Sequence, residues 1–283
     1  MAGPPIQRRR FQALLGATAL TGWPAARAAD EMALFDAHIH YSHDAWDLVP
    51  PKQAVALLRQ ARLRGALVSS SNDQGTQLLA AEAPDLIVAS LRPYRTRGDI
   101  GSWMRDETVL RYLGERLARY RYVALGEFHL YGEDADLPVP RHLVAMAREH
   151  RLVLHAHSDV EAVDRLFRQW PEARVLWAHS GFDRPEKVAE TLRRHPRLWS
   201  DLAFRGDHAS AGKVDPAWRD TFLAFPERFV LGTDTFTPER WHYIGPHASQ
   251  ARAWLTDLPP ALAERIGWRN AEALLRPAAP AKL

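Results

Sequence analysis

Residues 33–40 read Ala33-Leu34-Phe35-Asp36-Ala37-His38-Ile39-His40, an apolar run that ends in ionisable side chains. Short runs almost continuous in apolar residues mark strands covered on both faces, as in a buried parallel sheet. Seven more such runs follow, at 65–71, 86–91, 122–129, 152–157, 174–180, 198–203 and 229–234. Between them lie amphipathic stretches that predict helices over 51–64, 107–120, 141–150, 159–170 and 185–195, with Asp159 and Asp183 at N-cap positions. Eight strand–helix units in a body of this length predict an α/β fold of the (β/α)8 TIM-barrel type in a single domain, with an open doubly wound sheet as the alternative. The stretches 92–106, 131–140 and 204–219 are expected to be long loops after strands 3, 4 and 7. In a barrel they would cover the C-terminal face, where such enzymes keep their active sites.

The strand ends carry the chemistry. Strand 1 ends in His38 and His40, strand 4 in Glu127 and His129, strand 5 in His155 and His157, strand 6 in His179 and strand 8 in Asp234. His38 and His40 are two apart, so a strand turns both to one face. Each of these residues alone has an ordinary explanation: a core histidine, a salt-bridge partner, a helix cap. Ionisable groups are costly to bury, and their joint placement at one end of one barrel fits ligands of a divalent transition metal.

The N-terminal segment reads differently from the rest. Arg8-Arg9-Arg10-Phe11 precedes the apolar stretch 13–20, then Ala26-Arg27-Ala28. A charged start, a short apolar middle and a small-x-small end are the parts of a secretory signal, and Arg8-Arg9-x-Phe11 is similar to a twin-arginine signal. The expectation is a signal peptide over 1–28, export by the twin-arginine machinery, cleavage near Ala28 and a periplasmic domain over 29–283. The apolar stretch is too short to span a bilayer, and no later run is long enough, so no membrane span is expected. The formal net charge of +3 also belongs to this segment. Residues 1–28 hold four arginines and no acid, which leaves 33 basic against 34 acidic residues in the body. That balance gives no reason to expect a nucleic-acid partner. With no cysteine, the chain has no disulfide, thiolate metal site or Cys nucleophile.

The order His-x-His on strand 1, Glu on strand 4, His on strands 5 and 6 and Asp on strand 8 resembles the amidohydrolase superfamily, in particular its amidohydrolase-2 and TatD-like metal-dependent hydrolases. The resemblance runs over nearly all of 33–275 and includes Trp268-Arg269-Asn270-Ala271 near the end. It implies that His38, His40 and Asp234 bind one metal, that His155 and His179 bind a second, and that Glu127 bridges them. His157 is the alternative ligand on strand 5, and His129 stands beside the set. The implied cofactor is a divalent metal, zinc first with manganese or iron as alternatives, one or two ions per chain and two favoured.

Such a site lowers the pKa of bound water from 15.7 toward ~7 and makes hydroxide available at neutral pH. The expected function is a metal-dependent hydrolase that turns this hydroxide on a small-molecule substrate, an ester, lactone, amide or phosphoester. Asp234 is the expected general base. Arg92, Tyr94, Arg205 and His157 are expected substrate contacts, Trp241 and His242 further candidates to line the pocket, and Asp201 a partner that orients a ligand imidazole. Arg97-Gly98-Asp99, which spells an adhesion tripeptide, is read as chance. The competing readings are a nonoxidative decarboxylase with one metal on the same scaffold and a non-catalytic periplasmic metal- or solute-binding barrel.

Overall fold

The computed structural model describes residues 32–276. The expected signal segment 1–28 lies outside the described residues. Eight parallel strands form one sheet in strict sequence order: β1 Leu34–His40, β2 Leu63–Ser69, β3 Ile87–Leu91, β4 Ala124–Leu130, β5 Val153–Ser158, β6 Val175–Trp177, β7 Leu198–Asp201 and β8 Phe229–Val230. The sheet closes on itself where β1 meets the segment after β8. The Ala37 N–H donates to the Leu231 carbonyl at 2.8 Å, the Asp234 N–H to the His38 carbonyl at 2.8 Å and the His40 N–H to the Thr235 carbonyl at 2.9 Å. Each strand is followed by a helix: α1 Pro51–Gln60, α2 Gln74–Glu82, α3 Thr108–Arg119, α4 Pro138–Glu149, α5 Val160–Gln169, α6 Pro185–Arg194, α7 Pro216–Ala224 and α8 Ile244–Leu255. This is the single-domain TIM barrel that the alternation predicts.

The helices form because one stripe of each is apolar. α5 turns Ala162, Val163, Leu166 and Phe167 to the barrel, and the Asp159 carboxylate caps it by accepting the Ala162 N–H at 2.8 Å. Asp183 does not cap α6. That position belongs to Arg184, with Pro185 opening the helix, while Asp183 ends the preceding turn. α1 stops at Gln60 rather than 64 because Arg62 adopts a left-handed φ of 54° and reverses the chain into β2. Segment 204–219 is not wholly loop, since it holds a hairpin, Ala209–Ser210 against Lys213–Val214, and the start of α7.

Inside the barrel, one side chain from most strands packs into a layer near the N-terminal end: Phe35, Leu67, Ala124, Val153, Leu176 and Val230. After two short helical turns over Pro260–Arg269, the last helix, α10 Asn270–Leu275 (α9 being Pro260–Glu264), adds Ala271, Leu274 and Leu275 to this layer. Among the described residues, this helix covers the N-terminal end of the barrel. Among the described residues no helix is long and apolar enough to cross a membrane.

Candidate metal centre

Two β-bulges aim the ligands. On β1, Asp36 pairs with Ala66 and Ile39 with Val68, so Ala37 and His38 together oppose one residue of β2. Below the bulge, Phe35 and Ala37 face the barrel interior. The extra residue reverses the alternation, so that His38 and His40 face inward and Asp36 faces the seam. There Asp36 Oδ1 accepts the N–H of His38 at 3.1 Å and of Thr233 at 3.0 Å, fixing the bulge. On β4, Gly126 pairs with His155 and Phe128 with Ala156, which leaves Glu127 as the bulged residue. Gly126 has φ of +127°, and a Cβ there would stand 2.1 Å from the His155 carbonyl oxygen, so only glycine fits this approach. On β6 the strand ends at Trp177, and left-handed φ values at His179, Ser180 and Gly181 swing the His179 ring over the barrel mouth.

Among the described residues, three groups of possible ligand atoms converge, each within 4.8 Å: His38 with His40 and Glu127, His38 with His155 and Asp201, and Glu127 with His157 and His179. Asp234 joins the first, its Oδ1 lying 3.6 Å from His38 Nε2 and 3.4 Å from His40 Nε2. Glu127 stands between the first and third, with Oε2 3.2 Å from His40 Nε2 and Oε1 2.8 Å from His157 Nδ1 and 3.5 Å from His179 Nε2.

The ring orientations decide what the centre accepts. His38 Nδ1 faces Asp201 Oδ2 at 3.0 Å, His40 Nδ1 faces the Ser69 carbonyl at 3.1 Å and His179 Nδ1 faces the Ala203 carbonyl at 2.8 Å. Each of these partners accepts, so each Nδ1 carries the hydrogen and each Nε2 presents a lone pair. The Nε2 atoms of His38 and His40 lie only 3.1 Å apart. Two buried lone pairs at that distance, beside two carboxylates, repel unless a positive charge sits among them. Burial acts against charge on His38, but Asp201, Glu127 and Asp234 outweigh it and raise its pKa well above 6.5. Burial likewise works to raise Asp234, yet His38 and His40 bring it down to about 2, and Glu127 is held well below the usual range against its own burial, chiefly by His38. The donor set fits one or two divalent ions.

Other expected site residues fall into different places. His155 lies beneath the centre: Nε2 faces Asp201 Oδ2 at 3.2 Å, Nδ1 has no partner, and burial pushes its pKa down to about 4. His157, not His155, shares a ligand group with Glu127 and His179. Arg92 is buried and bonds Glu127 twice, from Nη2 to Oε2 at 2.9 Å and from Nε to the carbonyl at 3.1 Å. Tyr94 is fully buried and its hydroxyl accepts the His129 N–H at 2.7 Å, so it supports the wall of the site. Arg205 donates to the carbonyls of His179 at 3.0 Å and Asp183 at 2.8 Å, with its guanidinium over the Trp218 ring, and clamps the β6 turn. Trp241 is buried against Tyr41 in the core, and His242 is exposed. Asp201 holds four contacts, adding the N–H groups of His179 at 2.7 Å and Ala203 at 3.0 Å to the two imidazoles.

A cavity of about 200 Å³ opens over the centre, lined by His40, Glu127, His157 and Asp234, by the expected Arg92, and also by Ser42, Ser71, Arg97, Ile100, His129 and Phe236. Sequence reasoning missed Ser42, Ser71, Ile100 and Phe236. Arg97, set aside with the tripeptide, reaches Asp44 at 2.7 Å and the Phe236 carbonyl at 2.6 Å across the mouth. A separate cavity of about 290 Å³ lies between the barrel wall and α8, among Leu34, Leu231, Ile244 and Trp254, and holds none of the ligand groups.

Comparison with solved structures agrees with this architecture. A Pseudomonas putida protein assigned as a 2-pyrone-4,6-dicarboxylic acid hydrolase is 15% identical, with a TM-score of 0.59 over 86% of this chain and 97% of that one. A protein from Acinetobacter baumannii with the same assignment is 12% identical, with a TM-score of 0.57 over 86% and 98%. A TatD-family hydrolase from Entamoeba histolytica is 11% identical, with a TM-score of 0.54 over 87% and 100%. At these identities the likeness establishes the fold. No curated protein matches the chain. The amidohydrolase family described as Amidohydro_2 matches residues 35–276, nearly the whole described barrel, and the chain therefore belongs to the amidohydrolase family and is a hydrolase of that superfamily.

Proposed function

We propose that this hydrolase cleaves a small ester or lactone with the help of two divalent ions, one held by His38, His40 and Asp234 and one by His157 and His179, with Glu127 shared. The observation that carries the reading is the pair of Nε2 atoms 3.1 Å apart whose opposite ring nitrogens are both committed to acceptors. This assignment departs from the expected His155. A divalent ion at such a site supplies Lewis acidity and acidifies water.

The chain's own groups do the rest. Asp234 is ionised and lines the cavity, so its carboxylate takes the proton from water and passes it to the leaving oxygen. Arg92 keeps Glu127 in place through two bonds and supplies positive charge beside it. Ser42 and Ser71 offer hydroxyls at the cavity wall, and Arg97 offers charge to a substrate carboxylate at the rim. The Pseudomonas and Acinetobacter proteins are assigned to hydrolysis of a lactone bearing two carboxylates, which makes carboxylated lactones the first substrates to try.

The test is a panel of lactones, aryl esters, amides and phosphoesters, assayed with protein reconstituted in zinc or manganese. Asp234→Asn should lower turnover about 10²–10⁴-fold, the span usual for a general base, while at least one metal ion stays bound. Wild-type rates in Asp234→Asn, or hydrolysis unaffected by chelator, would overturn the reading. The reading extends to export: residues 8–28 have the parts of a twin-arginine signal, so the mature enzyme would act in the periplasm.

A further inference from the structure

Among the described residues, seven large apolar side chains are exposed, and all but Leu223 belong to loops that leave the C-terminal ends of the strands. Ordinary surfaces scatter such residues singly, so their gathering at one face calls for a cause. Three of them stand at the cavity mouth, and Phe204, which lines the neighbouring cavity beside α8 together with Arg240, reaches the mouth through Phe236. Phe182 stacks on His179 with ring centres 4.6 Å apart and lies 5.9 Å from His157. Tyr131 stands edge-on to His157 at 6.1 Å. Phe236 lines the cavity itself and meets Phe204 at 5.9 Å, and Arg240 lies 4.8 Å from the Phe204 ring and 5.3 Å from that of Phe236. Phe182 and Phe204 hold left-handed φ values of 55° and 53°, where a large side chain is disfavoured and glycine or asparagine would serve the backbone better. Folding asks for phenylalanine at neither position.

The inner cavity, about 200 Å³ and rich in polar groups, is smaller than most small-molecule sites. A substrate whose scissile group sits there must extend outward over the ring. We propose that the mouth is an aryl subsite: the substrate carries a flat aromatic group that lies among Phe182, Tyr131, Phe204 and Phe236 while its carbonyl group enters the cavity. The faces and edges of these rings, with the Arg240 cation behind one pair, suit an aromatic partner better than a flexible alkyl chain. This inference rests on the metal-dependent reading above and names the substrate class for that site.

Two metal-chelating probes separate the claims: acetohydroxamate and 3-phenylpropionohydroxamate, titrated calorimetrically into the zinc-reconstituted protein. The phenyl probe should bind at least about tenfold more tightly, since burying one ring among others is worth at least that factor. Phe182→Leu and Phe204→Ala should each shrink this advantage to about threefold or less, with zinc content per chain measured alongside. Equal affinities for the two probes, or an advantage untouched in both variants, would overturn the aryl subsite and leave the metal centre standing. If neither probe binds the zinc-loaded chain, both proposals fall. A dimer that Phe204→Ala dissociates, with no preference between the probes, would assign the ring to a second copy of the chain and equally overturn the subsite.

Discussion

Asp201 is a single side chain on which much of the centre depends. Its two oxygens hold the His38 and His155 rings and accept the N–H groups of His179 and of Ala203 just past β7. Burial works to raise its pKa, but His38 and His155 outweigh this and keep it far below the usual carboxylate range, so it stays charged. Asp201→Asn preserves shape and removes that charge. It should weaken metal affinity about 10–100-fold, as loss of such a partner usually does. Competition with a chromophoric chelator reads the change, and an unchanged affinity would deny Asp201 its role in orienting His38. The sequence made this residue legible as a partner of a ligand imidazole. It could not separate His155 from His157, because alternate residues on one strand both face inward. Only depth distinguishes them, and depth is set by which of the two meets Asp201.

At the scale of elements, the strands and most helices were legible because their apolar periods are strong. α2, α7 and α8 were not, since their apolar stripes are weak; Gln74–Glu82, for one, buries only Gly75, Thr76 and Leu79. The bulges at 36–39 and 126–128 were also invisible, because a bulge is a relation between two strands and leaves no period in one. Gly181 is a sharper local signal. A Cβ there would lie 2.0 Å from the Trp177 ring, and φ is +62°. Gly181→Ala should therefore destabilise the β6 turn by about 1–3 kcal/mol, visible as a lower urea midpoint. Asp159→Ala, which removes the α5 cap and the bond from the Gly132 N–H, should cost about 1–2 kcal/mol by the same measurement. The loop after β7 carries a pH dependence. His208 packs edge-on to Trp254 at 4.9 Å with Nδ1 unpartnered, and burial depresses its pKa from 6.5 to about 4. Between those two values the unfolded chain takes up a proton that the folded chain refuses. Stability therefore falls as pH drops from 6.5 toward 4, by an amount on the order of 2–3 kcal/mol from this group. His208→Gln should flatten that part of the pH–stability curve, and an unchanged slope would place the dependence elsewhere.

Across the whole barrel, among the described residues, the last helix covers one end and the three candidate ligand groups gather toward the other. The export expectation concerns the intact chain. Replacing Arg8 and Arg9 by lysine should hold the precursor in the cytoplasm, as fractionation would show, whereas undiminished periplasmic protein would refute the twin-arginine route. Buried imidazoles and carboxylates, brought together by two bulges and a left-handed turn, are proposed to hold divalent metal. Elemental analysis of protein purified without chelator or affinity metal, and then reconstituted with zinc or manganese, tests this. Two equivalents per chain are expected, falling to one or none in Glu127→Ala. No metal in the wild-type protein, even after reconstitution, would contradict it.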